Sequence, residues 1–276
     1  MTPTELKIKS IQYRIRLLAH IKKAKAGHTG GSLSCVDILN VLYNRVLNIT
    51  PQNFASCARD HFIQSKGHSV EALYVVLADK GFFPDSDLDT LCRFKSPYIG
   101  HPTRKVKGIE HNTGGLGHGL SFSVGLALAG KKDRAAWRVF TLLGDGELAE
   151  GSNWEAMLTA AHYGLDNLTA IVDRNKLQIT GSTEDVCALE SLREKFAAFG
   201  WTPCTVDGHD LEALTEVLSS TPFEAGKPSI VIANTVKGKG VSYMENVAKW
   251  HHGVPSDEQY QSAMQQLDAQ LREVGI

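Results

Sequence analysis

Two short polar motifs, each placed directly after a largely apolar run, are the residues of this sequence best suited to chemistry. They are Gly144-Asp145-Gly146 and Asp173-Arg174-Asn175. The two apolar runs, with a helical segment between them, predict two parallel strands. Ligands of such sheets bind at the carboxyl ends of the strands, where Asp145 and Asn175 would lie. Two hard oxygen ligands beside a glycine turn favour a divalent metal that carries a phosphate.

Histidines that directly follow a glycine form a second pattern. Five of the eleven histidines do so, and they are His28, His68, His101, His118 and His209. Glycine lets the backbone approach a ligand, and histidine can hydrogen-bond or exchange a proton near neutral pH. The first three fall in predicted loops, where a rigid scaffold presents chemistry. Any one of them would more often be a helix cap or a surface residue, but together with the strand-end motifs they favour a functional site.

A glycine-rich loop, N-T-G-G-L-G-H-G at 112–119, precedes a segment of small apolar residues. Such a loop at a helix start exposes backbone N–H groups and can hold an anion or a flat heterocycle. It does not match the P-loop pattern or the dinucleotide fingerprint. Close helix packing explains the glycines equally well, so this motif alone is weak evidence.

The chain alternates extended and helical patterns from end to end. The predicted strands are 60–64, 137–143, 168–172, 201–206 and 229–235. The predicted helices are 4–26, 34–46, 70–79, 121–129, 154–163, 192–199 and 211–218. Strands interleaved with helices of this length predict an α/β fold with a doubly wound, mostly parallel sheet flanked by helices. We expect one domain at 1–255 and a C-terminal helical arm at 256–276.

Composition limits the possible classes of protein. A chain of 276 residues that is 42% hydrophobic can bury one large core or at most two. The net charge of −1 gives no electrostatic reason to expect nucleic acid or an acidic membrane as partner. No signal profile and no apolar run of membrane-spanning length is present. Five cysteines without a CxxC pair predict reduced, buried thiols. We therefore expect a soluble cytoplasmic protein.

Taken together, the motifs resemble the transketolase family over nearly the whole chain and in order. The segment from Gly144 to Asn175 is similar to the thiamine diphosphate fingerprint. The family's histidine loops and its loop over the thiazolium ring are matched by 27–32, 65–68, 100–102, 113–119, 237–240 and 250–253. One departure is His118, where many relatives carry glutamine.

The resemblance implies a thiamine diphosphate-binding fold of the PP-domain type and a set of cofactor and metal ligands. Asp145, Asn175 and the backbone carbonyl of Leu177 would bind Mg²⁺ or Ca²⁺, which would hold the cofactor diphosphate. The residues that would contact the cofactor are His68, Gly114, Gly115, Leu116, Gly146, Glu147 and Asn175.

The resemblance also assigns roles to several side chains outside the metal site. His28, His101 and His251 would surround the reactive carbon, hydrogen-bond the ketose hydroxyls and move protons. Of the neighbours His251 and His252, the first is favoured because it directly follows Trp250, as in relatives. Glu150 would face its counterpart across a subunit interface, whereas Glu155 would only interact favourably with the helix dipole.

Length is the main departure from the family. Full-length relatives continue into a pyrimidine-binding domain and a further C-terminal domain, whereas this sequence ends at Ile276. The pyrimidine domain carries the glutamate that activates the cofactor and most groups that hold a sugar phosphate. We therefore expect the N-terminal subunit of a split transketolase, which transfers a two-carbon ketol unit from a ketose donor to an aldose acceptor. It would self-associate and join a C-terminal subunit in a heterotetramer of two of each, with little activity alone.

Three alternatives remain open on sequence. A subunit of another thiamine diphosphate-dependent synthase, of the deoxyxylulose-phosphate or decarboxylating type, would share the segment 145–175. The loops containing His28, His101 and His251 favour transketolase, because a ketose donor presents hydroxyls to them. A regulatory or structural subunit could retain the fold without activity. A metal-dependent phosphate-ester binder would require the loop 113–119 to serve packing only.

Overall fold

The computed structural model describes residues 1–275 as an α/β fold built on one parallel sheet. Within that range the sheet has five strands in the order β1-β2-β3-β5-β4, and every neighbouring pair is parallel. The strands are β1 His61–Gln64, β2 Val139–Gly144, β3 Leu168–Arg174, β4 Thr202–Asp207 and β5 Ser229–Asn234. The predicted fold class is confirmed, and each predicted strand is present to within two residues at either end.

Helices cover both faces of this sheet. They are α1 Pro3–Ala24, α2 Thr29–Val41, α3 Val70–Asp79, α4 His118–Lys132, α5 Gly151–His162, α6 Thr183–Val186, α7 Leu192–Ala198, α8 Leu211–Ser219 and α9 Asp257–Glu273. Side chains of β2 alternate between two cores: Phe140 and Leu142 pack with α1, α2 and α3, whereas Val139 and Leu143 pack with α4 and α5. This period of two is what a strand buried on both faces requires. The sheet is therefore doubly wound, as predicted.

Several predicted helix starts were wrong: α4 and α5 each begin three residues before the predicted start, and the starts of α1 and α2 also differ. The cap of α1 is Thr2 rather than Thr4: Thr2 and Glu5 form a reciprocal capping box around Pro3. Helix α2 begins at Thr29, five residues before the predicted start, and continues into a π-helical turn at Leu42–Val46. The glycines at its start lowered the helical signal, but they serve packing, since a Cβ on Gly30 would lie 2.8 Å from the Trp250 carbonyl oxygen.

The cysteines correct a second prediction. All five are free, but only Cys35 is buried. Cys57, Cys92 and Cys187 are exposed and Cys204 is partly exposed. The first three lie outside regular elements and Cys204 lies on the edge strand β4, so the scaffold does not cover them. Within 1–275 no helix is long and apolar enough to cross a membrane.

Helix α9 occupies most of the predicted C-terminal arm. Ser256 caps it in a capping box with Gln259. Its buried residues, Ala263 and Leu267, belong to the same hydrophobic core as α1. The division into a domain at 1–255 and an arm at 256–276 stays a prediction, and Ile276 lies outside the described residues.

Candidate functional site

The carboxyl edge of the sheet places Asp145 and Asn175 side by side. Strands β2 and β3 are parallel neighbours, and Gly144 is in register with Asp173. Asp145 directly follows β2, and Asn175 directly follows β3. Both side chains are buried. The sequence prediction that these two residues meet at one sheet edge agrees with this register.

The oxygens of these two residues accept hydrogen bonds from Gly146 and from the end of β3 and the residues that follow it. Oδ2 of Asp145 accepts hydrogen bonds from Lys176 N at 2.5 Å and from Arg174 Nη1 at 3.2 Å, and Oδ1 accepts one from Gly146 N. Oδ1 of Asn175 accepts from Leu177 N at 3.1 Å. Burial and the charge of Asp173 raise the pKa of Asp145.

The predicted metal ligands form a set of hard oxygens: one carboxylate, one amide oxygen and one backbone carbonyl. The third of them, the Leu177 carbonyl, accepts a hydrogen bond from Lys237 Nζ at 3.0 Å. Over residues 1–275 there is no group of three or more His, Cys, Asp and Glu side chains that could hold a metal by themselves. A cation here would therefore depend on other oxygens, such as those of a bound phosphate, to complete its coordination. The donor set fits Mg²⁺ or Ca²⁺ carried in with such a ligand.

The glycine loop at 112–119 lies against the loop after β1. A Cβ on Gly67 would lie 2.8 Å from Gly114 N, and a Cβ on Gly114, at φ +138°, would lie 2.7 Å from His101 Cδ2. Both contacts exclude larger residues. The predicted cofactor residue Gly114 therefore packs against His101 and against Gly67, the residue before His68.

Glu147 joins three of these loops from within the protein. Its buried carboxylate accepts hydrogen bonds from Gly117 N at 2.9 Å, Gly144 N at 3.0 Å and the Ser65 hydroxyl. Burial raises the pKa of Glu147, although the three hydrogen bonds act to lower it. Its two oxygens already serve three protein donors, so its role in cofactor binding would be to fix the loops around the cofactor.

Imidazole rings from four separate loops form one cluster around His28. The ring centroid of His28 lies 5.3 Å from His68, 6.0 Å from His101, 5.7 Å from His251 and 4.7 Å from His252. His68 and His251 stack at 5.2 Å. The structure thus brings together the three predicted substrate histidines and the predicted cofactor histidine. It adds His252, which is exposed at the edge of the cluster.

Four rings of this cluster, those of His28, His68, His101 and His251, have lowered pKa values and are neutral near pH 7. Burial, together with the charges of neighbouring histidines and lysines, lowers the pKa of His28 to about 4. Burial, with Lys237 beside the ring, lowers that of His251 to about 3. The pKa values of His68 and His101 are also lowered by burial. A neutral imidazole has one donor and one acceptor nitrogen, so these rings can hydrogen-bond hydroxyl groups in either sense.

Buried lysines and an aspartate complete the site, and sequence reasoning gave them no role. The ammonium of Lys66 pairs with Asp173 and donates to the Gly31 carbonyl at 3.0 Å. Lys237 is 2% exposed, and its Nζ lies 3.1 Å from His251 Nδ1. Burial and the charge of Lys66 lower the pKa of Lys237 to about 8. A bound anion would offset this desolvation, so Lys237 is suited to hold a phosphate. The sequence signal that could have indicated Lys237 is its position in a short polar segment directly after a predicted strand.

Three other residues lie at the margins of the site. Glu150 precedes α5 as its N-cap and is exposed, and Glu155 is exposed on the helix itself. An interface role for Glu150 stays a prediction. His118 is exposed at the start of α4, with Nδ1 3.0 Å from the Leu116 carbonyl oxygen.

Comparison with known proteins adds evolutionary evidence to this geometry. Residues 7–270 match the family described as transketolase, thiamine diphosphate binding domain. The chain is 48% identical over 269 residues to an apulose-4-phosphate transketolase subunit of Phocaeicola vulgatus, covering 98% of this chain and 96% of that protein. It is 40% identical over 252 residues to the 6-deoxy-6-sulfo-D-fructose transketolase subunit SqwG of a Clostridium species, covering 91% and 92%.

Solved transketolases share the fold but are longer. The transketolase of Campylobacter jejuni superposes with a TM-score of 0.87 at 28% identity, and the match covers 99% of this chain and 46% of that one. This chain therefore spans about half the length of the solved enzyme.

Proposed function

From the premise that this chain belongs to the transketolase family, as its thiamine diphosphate binding domain, we propose that it is the diphosphate-binding subunit of a split transketolase. The complete enzyme would transfer a two-carbon ketol unit from a ketose phosphate to an aldose acceptor. The observation that carries this proposal is the cluster of imidazoles around His28, which Lys237 links to the loop after the buried Asn175. Those rings suit the hydroxyls of a sugar, and the buried oxygens suit a metal-bound diphosphate.

The cofactor site is proposed in two halves. Asp145, Asn175 and the Leu177 carbonyl would hold Mg²⁺ or Ca²⁺, and Lys237 would hold a diphosphate oxygen. When bound, thiamine diphosphate supplies the electron sink that stabilises the donor carbanion. His68, Gly114, Gly115, Leu116 and Gly146 would line its remaining surface, and Glu147 would keep their loops in place.

The substrate side rests on hydrogen-bond directions around His251. The protonated ammonium of Lys237 lies 3.1 Å from Nδ1 of this ring, so Nδ1 accepts and Nε2 carries the proton. Nε2 of His251 is then a donor for a substrate hydroxyl. His28 and His101 would supply the other contacts and shuttle protons as the carbon–carbon bond breaks.

A partner subunit is part of the proposal. The relatives that this chain covers at 96% and 92% of their length are named as transketolase subunits. We expect a partner that carries the pyrimidine domain and most sugar-phosphate contacts, in a cytoplasmic heterotetramer of two of each subunit. Glu150 would lie between the two copies of this chain. A ketose phosphate donor fits the name of the apulose-4-phosphate relative.

Reconstitution tests the proposal. The chain is purified alone and with the product of the adjacent gene, and ketol transfer is assayed with thiamine diphosphate, Mg²⁺ and a ketose phosphate. Activity is expected only for the complex. Full activity of the chain alone would contradict the proposal of a split enzyme. Absence of cofactor binding by the complex in calorimetric titration would instead favour a regulatory subunit that has kept the fold.

A further inference from the structure

Three side chains far apart in sequence form a buried chain of hydrogen bonds behind the loop 235–240. Asp37 on α2 accepts from Arg14 on α1, with Oδ1 to Nη1 at 3.1 Å and Oδ2 to Nη2 at 2.6 Å. His209, in the loop before α8, places Nδ1 at 2.7 Å from Oδ2 of the same carboxylate. Arg14 and Asp37 are buried, and the side chain of His209 is 12% exposed.

The tautomer of His209 follows from its second contact. Val236 N donates to Nε2 of the ring at 2.8 Å, so Nε2 is the acceptor. Nδ1 therefore carries the proton and donates to Asp37. Burial opposes ionisation of Asp37, but the charge of Arg14 and the hydrogen bonds hold the pKa of this carboxyl well below its usual range. Asp37 is thus a charged anchor that fixes the orientation of the imidazole.

The same network holds the other end of the loop. Arg14 Nε donates to the Lys239 carbonyl oxygen at 3.1 Å. Lys237 lies between these two points, with its ammonium directed at Leu177 and His251. Gly238 has φ +82°, and a Cβ there would lie 2.4 Å from the Met244 carbonyl oxygen, so the backbone beside Lys237 is closely confined.

We propose that His209, oriented by Asp37 and Arg14, is a positioning residue that holds the loop of Lys237 in the geometry needed to bind the cofactor diphosphate. This inference rests on the proposed cofactor site. Lys237 is a desolvated cation, so a small displacement of its loop would cost binding energy in two ways, by lengthening its contact with the anion and by admitting water. His209 acts through the loop and touches neither cofactor nor substrate.

The test uses amide side chains that replace one ring nitrogen at a time, in the complex reconstituted with its partner. His209→Asn keeps a donor near the Nδ1 position and removes the acceptor for Val236 N. His209→Gln places a carbonyl acceptor near the Nε2 position. A matched control is His20→Asn, because His20 is a similarly buried histidine whose Nε2 lies 3.3 Å from Asp85, away from the sheet edge.

The expected result is a loss of cofactor affinity with recovery by the acceptor variant. His209→Asn should raise the Kd for thiamine diphosphate, at saturating Mg²⁺, by about tenfold, as expected for one lost hydrogen bond. The kcat at saturating cofactor should stay close to that of the wild type. His209→Gln should recover most of the affinity, and His20→Asn should bind as the wild type does. Equal affinity of wild type and His209→Asn, or a loss in kcat alone, would overturn the proposal.

Hydrogen exchange separates this inference from the proposed function. Amides of 235–240 should exchange faster in His209→Asn than in the wild type and His20→Asn, with no cofactor present. Unchanged exchange there would overturn the positioning role whatever the cofactor affinity. Failure of the wild-type complex to bind thiamine diphosphate would instead overturn the proposed function, and the diphosphate role of His209 with it.

Discussion

At the scale of single residues, the site depends on charged and polar groups that have been removed from water. His28 and His251 are neutral because burial and neighbouring charges lower their pKa values. Burial also lowers the pKa of Lys237, to about 8, so this residue is still mostly protonated at pH 7. Such groups are poorly solvated before a ligand arrives. An anionic ligand would pair with the buried lysine, and a sugar hydroxyl nearby would hydrogen-bond the neutral histidines.

Lys237 gives the residue-scale prediction. Replacing it with methionine keeps a side chain of similar length and removes the buried positive charge. The affinity for thiamine diphosphate should therefore fall by about tenfold or more. Calorimetric titration of the complex measures this loss. Lys239→Met is the matched control, since its side chain is 38% exposed on the same loop and pairs only distantly with Glu245. Equal losses in the two variants would mean that general loop charge, and not the ammonium of Lys237, holds the diphosphate.

Sequence reasoning reached part of the site at this scale. Asp145, Asn175 and the glycine-linked histidines were predictable, because polar motifs at two strand ends and several glycine-linked histidines occur together in one chain. Lys66 and Lys237 were not, because a lysine beside an apolar run is most often a surface residue, and Asp173 was named only as part of its motif and given no role. Only the fold shows that these three are enclosed. The partnership of His209 with Asp37 joins residues 172 positions apart, and no local pattern encodes it.

At the scale of elements, α3 supports the start of α2 through one carboxylate. Glu71 on α3 accepts hydrogen bonds from His28 N at 3.1 Å and from the Ser32 hydroxyl at 2.8 Å. It is buried, and within 1–275 no lysine, arginine or histidine forms a salt bridge with it. Burial raises its pKa to about 7. His28, the N-cap of α2, is therefore held by a carboxyl group whose pKa is raised to about 7.

Glu71 makes stability depend on pH with a defined sign. The folded state binds this proton more tightly than the unfolded chain, whose pKa is near 4.5. The stability it contributes is fully present below pH 4.5 and is lost as pH rises through 7. Glu71→Gln keeps an acceptor and removes the titration, so its unfolding free energy relative to wild type should be higher at pH 8 than at pH 5. Urea denaturation at both pH values measures this, and an equal difference at the two would contradict it.

Elements that depend on a local sequence pattern were predicted more accurately than those that depend on contacts made only in the fold. The strands were predicted well because each is a short apolar run bounded by polar turns. The start of α2 was predicted late because Gly30 and Gly31 are poor helix formers in isolation. Contacts made only in the fold, between Gly30 and the segment of Trp250, decide the helix start there.

At the scale of the whole molecule, the C-terminal helix belongs to the same core as the N-terminal one. Leu267 on α9 is fully buried in the core that includes Leu17 and Leu18 of α1. Leu267→Ala should therefore lower the unfolding free energy of the entire chain by about 2–4 kcal/mol. Thermal or urea unfolding monitored by circular dichroism should show one transition at lower temperature or denaturant.

The control for Leu267→Ala, and the result that would contradict the prediction, test whether the chain divides at residue 255. Gln265→Ala, an exposed position on the same helix, should leave the transition unchanged. If Leu267→Ala instead leaves the main transition unchanged and adds a small early one, the segment 256–276 behaves as an independent arm. That result would support the division predicted from sequence.

The two edges of the parallel sheet differ in how well their loops should tolerate substitutions or insertions. Every loop that leaves a strand at its carboxyl end contributes to the histidines, the oxygens or the lysines described above. The turns that lead into the strands contribute none of them, and the segment 133–136 before β2 is largely exposed. A protein engineer could therefore add an affinity tag, a fluorophore site or a surface-immobilisation handle at 133–136. The proposed site would be left untouched.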